Sequence, residues 1–154
     1  MHNAHTYETE LTWTGADAGP TSSYTAYSRD YVVRAPGKEP LSGSADPVFR
    51  GDRERYNPED LLVASLSACH LLSYLAEAAR AGIHVVAYED SASGIMVLED
   101  GGGHFTEVTL RPHVTISAGD PEVAHSLHER AHSNCFIASS VNFPVRHEAR
   151  VTVA

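Results

Sequence analysis

The sequence has few cysteines and few basic residues, and both shortages limit its possible functions. Only 2 of its 154 residues are cysteine, which is too few for the disulfide framework of a small secreted domain. Only 11 residues are Lys or Arg, against 20 that are Asp or Glu. The net charge of −9 argues against nucleic acid as a partner, because binding to the phosphate backbone needs clustered positive charge.

Two patterns that would predict targeting or membrane insertion are also missing from this sequence. Its N-terminus lacks a basic segment followed by an apolar core, so we expect no secretory signal and a cytoplasmic location. The longest uncharged run, residues 61–76, is shorter than a typical membrane span and contains three serines and a histidine. We therefore predict one soluble domain over residues 1–154 and no membrane association.

What is present is a regular succession of elements in the order ββ-α-ββ-α-β. Alternating residues predict a hairpin over 6–14 and 24–34, two longer strands over 85–98 and 105–117, and a final strand over 147–153. Asn57 and Pro58 predict the start of a long helix that ends near Gly82. Asp120 and Pro121 predict the start of a second helix that runs toward Ser133. This order predicts an α+β fold with antiparallel strands and helices on one side of the sheet.

The first predicted helix is apolar on nearly all sides. Its large aliphatic residues do not fall on one stripe, so a single sheet cannot cover all of them. In so small a protein, a second copy of the chain is the simplest cover. We therefore expect a homodimer in which this helix is central.

Cys69 lies in the middle of this helix. A buried cysteine is most often a small packed hydrophobe, and the same interpretation applies to Cys135. Cys69 is too far from the helix N-terminus for the helix dipole to stabilise a thiolate. A reactive Cys69 would therefore need a cation from elsewhere, and Arg29 and Arg50 are the upstream candidates.

Two segments together resemble a known family. "NPEDLLVASLSACH" places Pro-Glu ahead of a cysteine in an apolar helix, and "AHSNCFIASSV" supplies a second cysteine downstream. With the upstream arginine, this pattern resembles the OsmC/Ohr family, the osmotically inducible and organic hydroperoxide resistance proteins. The resemblance implies an intertwined homodimer in which antiparallel sheets wrap central helices and the active sites lie at the subunit interface.

The resemblance also implies a thiol peroxidase acting on organic (alkyl or lipid) hydroperoxides. Cys69 would be the peroxidatic thiolate and Cys135 the resolving thiol, joined in an intramolecular disulfide. Arg29 would stabilise the thiolate, and Glu59 would hold the arginine in place. No cofactor or metal is implied, and a dithiol, with lipoyl-type compounds among the options, would regenerate the enzyme.

Two residues depart from the family pattern. Arg29 matches by its spacing from Cys69 and not by a shared local motif, so Arg50 remains an alternative. His70 stands where the family commonly has a large apolar residue. Its expected role is structural, and a ligand role stays open.

Two alternatives belong to other classes of function. "HERAH", with His128, Glu129 and His132, matches the H-E-x-x-H motif of zinc hydrolases, in which two imidazoles bind zinc and the glutamate is the general base. The structural interpretation is that His125, His128 and His132 face water on an amphipathic helix whose inner stripe is Val123, Leu127 and Ala131. The second alternative is a noncatalytic dimer that binds a small apolar ligand and whose two cysteines are inert.

Helix geometry makes a prediction about where the site lies. On one straight helix, Glu59 and Cys69 are about 15 Å apart along the axis and about 80° apart around it. If Glu59 orients the arginine that activates Cys69, either the helix breaks or both residues come from a partner chain. No Gly or Pro lies between Asp60 and Ala68, so we favour a site shared between subunits.

Overall fold

The computed structural model describes residues 3–154, which form two compact units. One unit ends at Leu61 and the other runs from Leu62 to Ala154. Two α-helices and nine strands lie in the described residues, so the predicted α+β class is confirmed. That residues 1–154 form one domain stays a prediction.

Three short antiparallel strands form the sheet of the first unit. They are β1 (Glu10–Trp13), β2 (Tyr31–Arg34) and β3 (Leu41–Gly43), in the order β1-β2-β3. The predicted hairpin is confirmed, with Trp13 opposite Tyr31. Its strands are shorter than predicted because the connection between them is folded into turns. This connection is held against β1 by a hydrogen bond that Trp13 Nε1 donates to the Ser28 carbonyl at 2.9 Å.

The first helix, α1 (Pro58–Arg80), begins and ends where the sequence predicts. The Asp60 amide donates to Asn57 Oδ1 at 2.8 Å, and the Asn57 amide donates to Asp60 Oδ2 at 3.4 Å. These reciprocal bonds satisfy amides that have no partner inside the helix. Gly82 follows the helix with φ of 72°, a left-handed conformation that favours glycine. No break interrupts α1 between these ends.

α1 is long and apolar enough to cross a membrane by length and composition alone. One such helix is a weak indication, because core helices of soluble proteins pass the same test. In the second unit, α1 contributes Leu66, Tyr74 and Ala78 to buried clusters. Leu72 and Leu75 are 66% and 37% exposed. As expected, its apolar residues are not confined to the side that the chain itself covers.

The two long strands predicted in the second unit are in fact four. They are β4 (His84–Asp90), β5 (Ser93–Glu99), β6 (Gly102–Leu110) and β7 (Pro112–Ala118). One predicted strand is interrupted after Asp90 and the other at Arg111. These two interruptions lie side by side, since Asp90 Oδ1 accepts a hydrogen bond from the Arg111 amide at 2.6 Å. β4 pairs with β7 and β5 pairs with β6, both antiparallel.

The second unit contains mixed sheets. The predicted last strand is also divided, into β8 (Val145–His147) and β9 (Arg150–Val153), which join different sheets. The strand orders are β4-β7-β9 and β5-β6-β8. β8 and β9 run parallel to their neighbours β6 and β7, which corrects the expectation of purely antiparallel strands in one sheet.

The second helix, α2 (Pro121–Ser133), also begins as predicted, with Asp120 Oδ1 accepting a hydrogen bond from the Glu122 amide at 2.8 Å. Its predicted inner stripe is confirmed for Leu127 and Ala131, which are buried. Val123 is 40% exposed, and Ala124 and His128 are buried in its place. This face packs against Tyr74 and Ala78 of α1 and against Val114 and Ile116 of β7 in one core cluster.

Candidate active site

The second unit brings the two cysteines together. Cys69 lies on α1, and Cys135 follows Asn134, the residue that caps the end of α2. The Cys69 side chain lies near enough to Cys135 to raise the pKa of its thiol, and the Cys135 sulfur accepts a hydrogen bond from the Ala138 amide at 3.4 Å. Cys69 is half-buried and Cys135 is 1% exposed. Both are free thiols.

The environment of Cys135 keeps its thiol protonated. Burial raises the pKa of Cys135 to about 11, and the neighbouring Cys69 acts in the same direction. At neutral pH this cysteine is therefore a protonated thiol, which is a weaker nucleophile than a thiolate. Of the two sulfurs, the half-buried Cys69 is the one placed to react with a ligand that arrives from outside.

The first unit places Arg29 and Glu59 in the lining of one pocket of about 250 Å³. Trp13, Tyr27 and Tyr31 line the same pocket and give it an aromatic wall. Burial and the nearby Glu59 carboxylate raise the pKa of Tyr31. The sequence did not single out these aromatic residues, which lie in and beside the strands of the predicted hairpin.

The Arg29 side chain is held by its own loop. The guanidinium lies 3.9 Å from the centre of the Tyr27 ring and 4.7 Å from that of Tyr24, and it donates hydrogen bonds to the carbonyls of both tyrosines. Among residues 3–154 no carboxylate forms an ion pair with Arg29. A guanidinium has five N–H donors, so Arg29 keeps donors for a ligand in the pocket.

Arg50 has a different position. It ends a short 3-10 turn over Pro47–Phe49, with φ of 69°, and its side chain is exposed. It is not among the residues that line the Arg29 pocket. Of the two candidate arginines, Arg29 is therefore the one that shares a pocket with Glu59.

The predicted exposed face of histidines on α2 is wrong for His128. His128 is 1% exposed, and its ring stacks on Tyr74 with centroids 4.1 Å apart. Its Nδ1 is 3.0 Å from Nε2 of His70, which is also 1% exposed, and one ring donates to the other. His128 follows Ala124 and Leu127 by four residues and one residue, so helical spacing places it on the buried face.

Burial keeps this histidine pair neutral. It lowers the pKa of His70 to about 4 and that of His128 to about 3, and the pairwise repulsion of neighbouring imidazoles adds to the effect. The rings of His132 and His147 also lie in this cluster, with centroids 5.8 Å apart. His70 therefore has the structural surroundings that were expected for it.

The "HERAH" motif does not form a recognisable metal site. His128 is buried against His70 and Tyr74, and the exposed Glu129 lies 3.4 Å from Nε2 of His147. In the part of the chain that the structure describes, no group of three His, Cys, Asp or Glu side chains is arranged to hold a metal ion. The zinc-hydrolase alternative thus gains no support from the geometry around its own motif.

Comparison with known proteins places this chain in a family. The family model described as OsmC-like protein matches residues 51–150. The solved structure of an OsmC-like protein of unknown function from Vibrio cholerae has a TM-score of 0.84 and 31% identity, over 96% of this chain and 100% of that one. The chain therefore belongs to the OsmC-like family, as its two cysteine segments predict.

Two further relatives are more distant. The uncharacterized protein YmaD of Bacillus subtilis is 24% identical over 107 residues, which cover 67% of this chain and 71% of YmaD. An organic hydroperoxide resistance protein from Elizabethkingia anophelis has a TM-score of 0.71 and 21% identity, with 100% of both chains covered. At that identity the likeness shows a shared fold.

Proposed function

We propose that this protein is a thiol-dependent peroxidase that reduces organic hydroperoxides to alcohols. The observation that carries the proposal is the contact between Cys69, which is open to a ligand, and the buried Cys135 thiol. Membership of the OsmC-like family and a fold shared with an organic hydroperoxide resistance protein support the same activity. The aromatic wall of the Arg29 pocket suits an organic substrate better than hydrogen peroxide.

The proposed reaction has two chemical steps. The Cys69 thiolate attacks the terminal oxygen of the hydroperoxide, the O–O bond breaks, and the departing alkoxide takes a proton to become the alcohol. Cys69 is then a sulfenic acid. The Cys135 thiol attacks its sulfur, water leaves, and a Cys69–Cys135 disulfide forms. A dithiol reductant returns both cysteines to thiols and is itself oxidised to a disulfide.

The activating arginine is proposed to come from a partner subunit. α1 is continuous, so the helix break that would let Glu59 approach Cys69 in the same chain is absent. Arg29 and Glu59 share a pocket, which supports their acting together. The exposed Leu72 and Leu75 of α1 support a second copy of the chain as the cover.

Mass spectrometry before and after one equivalent of cumene hydroperoxide tests this function. We expect the protein to lose two hydrogens and to contain a Cys69–Cys135 disulfide, and the peroxide to be recovered as its alcohol. Two free thiols after this treatment would refute the peroxidase. Hydrogen peroxide serves as the matched oxidant and should react more slowly.

Replacement of each cysteine separates their roles. Cys69→Ser should abolish peroxide consumption, because no nucleophile remains. Cys135→Ser should consume one peroxide and stop at sulfenic or sulfinic acid, because nothing condenses with the oxidised Cys69. Equal behaviour of the two variants would contradict the assignment of attacking and resolving thiols.

A further inference from the structure

The buried pair of His70 and His128 has no role in the proposed chemistry. Each side chain is 1% exposed, and Nε2 of His70 lies 3.0 Å from Nδ1 of His128. Nε2 of His128 has no hydrogen-bond partner in the described part of the chain. Two neutral imidazoles in an apolar core are costly to bury, and a leucine pair would fill similar space without that cost.

The pair belongs to a set of polar contacts between α1 and α2. The Tyr74 hydroxyl donates to the Ala124 carbonyl at 3.0 Å. The Glu77 carboxylate, 4% exposed, forms an ion pair with Arg130 at 3.0 Å and accepts a hydrogen bond from Asn134 Nδ2 at 3.3 Å. We call these contacts, together with the histidine pair, the α1–α2 ladder.

The ladder borders both cysteines. His70 directly follows Cys69 on α1, and Asn134 directly precedes Cys135 at the end of α2. Cys69 and Cys135 sit on separate elements, so the distance between their sulfurs depends on how α2 is held against α1. A disulfide needs Cα atoms within about 4.4–6.8 Å of each other, so a small displacement of either helix would disfavour it.

The apolar contacts of these helices combine large and small side chains. Tyr74 and Leu127 lie in the core beside three small residues, Ala78, Ala124 and Ala131. Alanine side chains interlock weakly and let one helix slide along another, whereas a hydrogen bond has a preferred length and direction. The ladder is therefore the part of the interface that can hold the two helices in one register.

We propose that the α1–α2 ladder sets the distance between Cys69 and Cys135, and that His70 and His128 are positioning residues for disulfide formation. The functional meaning of this inference rests on the proposed peroxidase, in which that disulfide closes the catalytic cycle. The geometric statement concerns only how readily the two thiols join.

Equilibration with glutathione measures how readily Cys69 and Cys135 form a disulfide, and it needs no peroxide. The two protein thiols transfer two electrons and two protons to oxidised glutathione, which gives the Cys69–Cys135 disulfide and two molecules of reduced glutathione. Alkylation and mass spectrometry of the equilibrated mixture give the effective concentration of one cysteine for the other. Circular dichroism confirms that each variant is folded.

The variants separate a hydrogen bond from simple packing. His70→Gln puts an amide near the position of Nε2 and should keep the effective concentration within about threefold of the wild type. His70→Leu keeps the side-chain volume but removes the hydrogen bond to His128, and it should lower the effective concentration at least about tenfold. His104→Gln is the control, because His104 is an exposed histidine on β6. If folded His70→Leu matches that control, the proposal is overturned.

Asn134→Ala decides the matter if His70→Leu fails to fold. Asn134 is exposed, so its replacement leaves the core intact, and it removes the hydrogen bond to Glu77 next to Cys135. We expect a decrease of at least about threefold in the effective concentration, and an unchanged value overturns the proposal. If the wild-type protein forms the disulfide readily but does not react with hydroperoxides, the proposed peroxidase function is refuted. The proposed role of the α1–α2 ladder is then unaffected.

Discussion

At the residue scale, the two cysteines are chemically unequal although both belong to one contact. Cys135 is buried and its pKa is raised to about 11, whereas Cys69 is half-buried. A buried, protonated thiol is a poor first nucleophile for a ligand that arrives from outside. The surroundings of Cys135 thus suit it to the second step of the proposed reaction, in which it reacts with the neighbouring Cys69.

The choice between the two arginines gives a prediction at this scale. Arg29→Ala should lower kcat/KM for cumene hydroperoxide about 100-fold, because a preorganised cationic donor is lost from the pocket that contains Glu59. Arg50→Ala is the matched control and should stay within about twofold of the wild type, because Arg50 is exposed and outside that pocket. The reverse ranking in a steady-state peroxidase assay would assign the role to Arg50.

At the scale of elements, local signals predicted helices well and strands poorly. Asn57 and Asp120 cap α1 and α2 as expected, because a cap depends on a few adjacent residues. The strand breaks near Asp90 and Arg111 were missed, because alternation continues across them and the break is fixed by a contact between distant segments. The parallel pairing of β8 and β9 likewise depends on the whole sheet and leaves no local pattern.

In the candidate site, too, the sequence predicted the features that depend on short segments and missed a contact between distant ones. The cysteine pair and Glu59 followed from the resemblance of short segments to a family, and the structure brings the two cysteines into contact. The burial of His128 could have been read from its helical spacing to Ala124 and Leu127. Its pairing with His70 could not, because that contact joins two helices separated by four strands.

The buried histidines predict acid sensitivity of the second unit. In the unfolded chain each titrates near 6.5, whereas folding lowers the pKa to about 4 for His70 and about 3 for His128. The free energy of unfolding therefore has its full value above pH 6.5. It decreases as the pH falls from 6.5 toward the pKa values of the folded protein. At pH 5 the loss should be about 2 kcal/mol for each imidazole.

Urea unfolding at pH 7 and pH 5 measures this loss. The His70→Leu/His128→Leu double variant should lose much less stability between these two values, because it lacks both imidazoles. His125, His132, His147 and Asp90 also lie near the pair and remain in the variant, so their contribution is subtracted. Equal losses in the wild type and the double variant would contradict the prediction.

At the scale of the whole molecule, surface residues of the second unit favour an assembly. Large apolar side chains are exposed on α1, on two strands and next to Cys135; they are Leu72, Val86, Ile95, Leu98 and Phe136. A monomer seldom leaves so many in water without a function for them. They are the surfaces that a second copy would cover in the proposed homodimer, and some lie close in sequence to both cysteines.

A shared active site predicts that two impaired variants restore each other. Cys69→Ser lacks the nucleophile, so its homodimer should be inactive, and Arg29→Ala lacks the activating cation, so its homodimer should keep about 1% of the wild-type activity. After subunit exchange, a heterodimer would combine the Cys69 of one chain with the Arg29 of the other in one of its two sites. Random exchange should therefore restore about a quarter of the wild-type peroxidase activity.

The control for this experiment mixes Cys69→Ser with a Cys69→Ser/Arg29→Ala double variant, which exchanges in the same way but supplies no intact Cys69. Native mass spectrometry verifies that heterodimers form in both mixtures. Because α1 is unbroken from Pro58 to Arg80, Glu59 and Cys69 of one chain stay about 15 Å apart along its axis. In the proposed homodimer, the partner would therefore supply Glu59 and its arginine. Verified heterodimers without activity would place Arg29 and Cys69 in the same chain, or transfer the activating role to another cation.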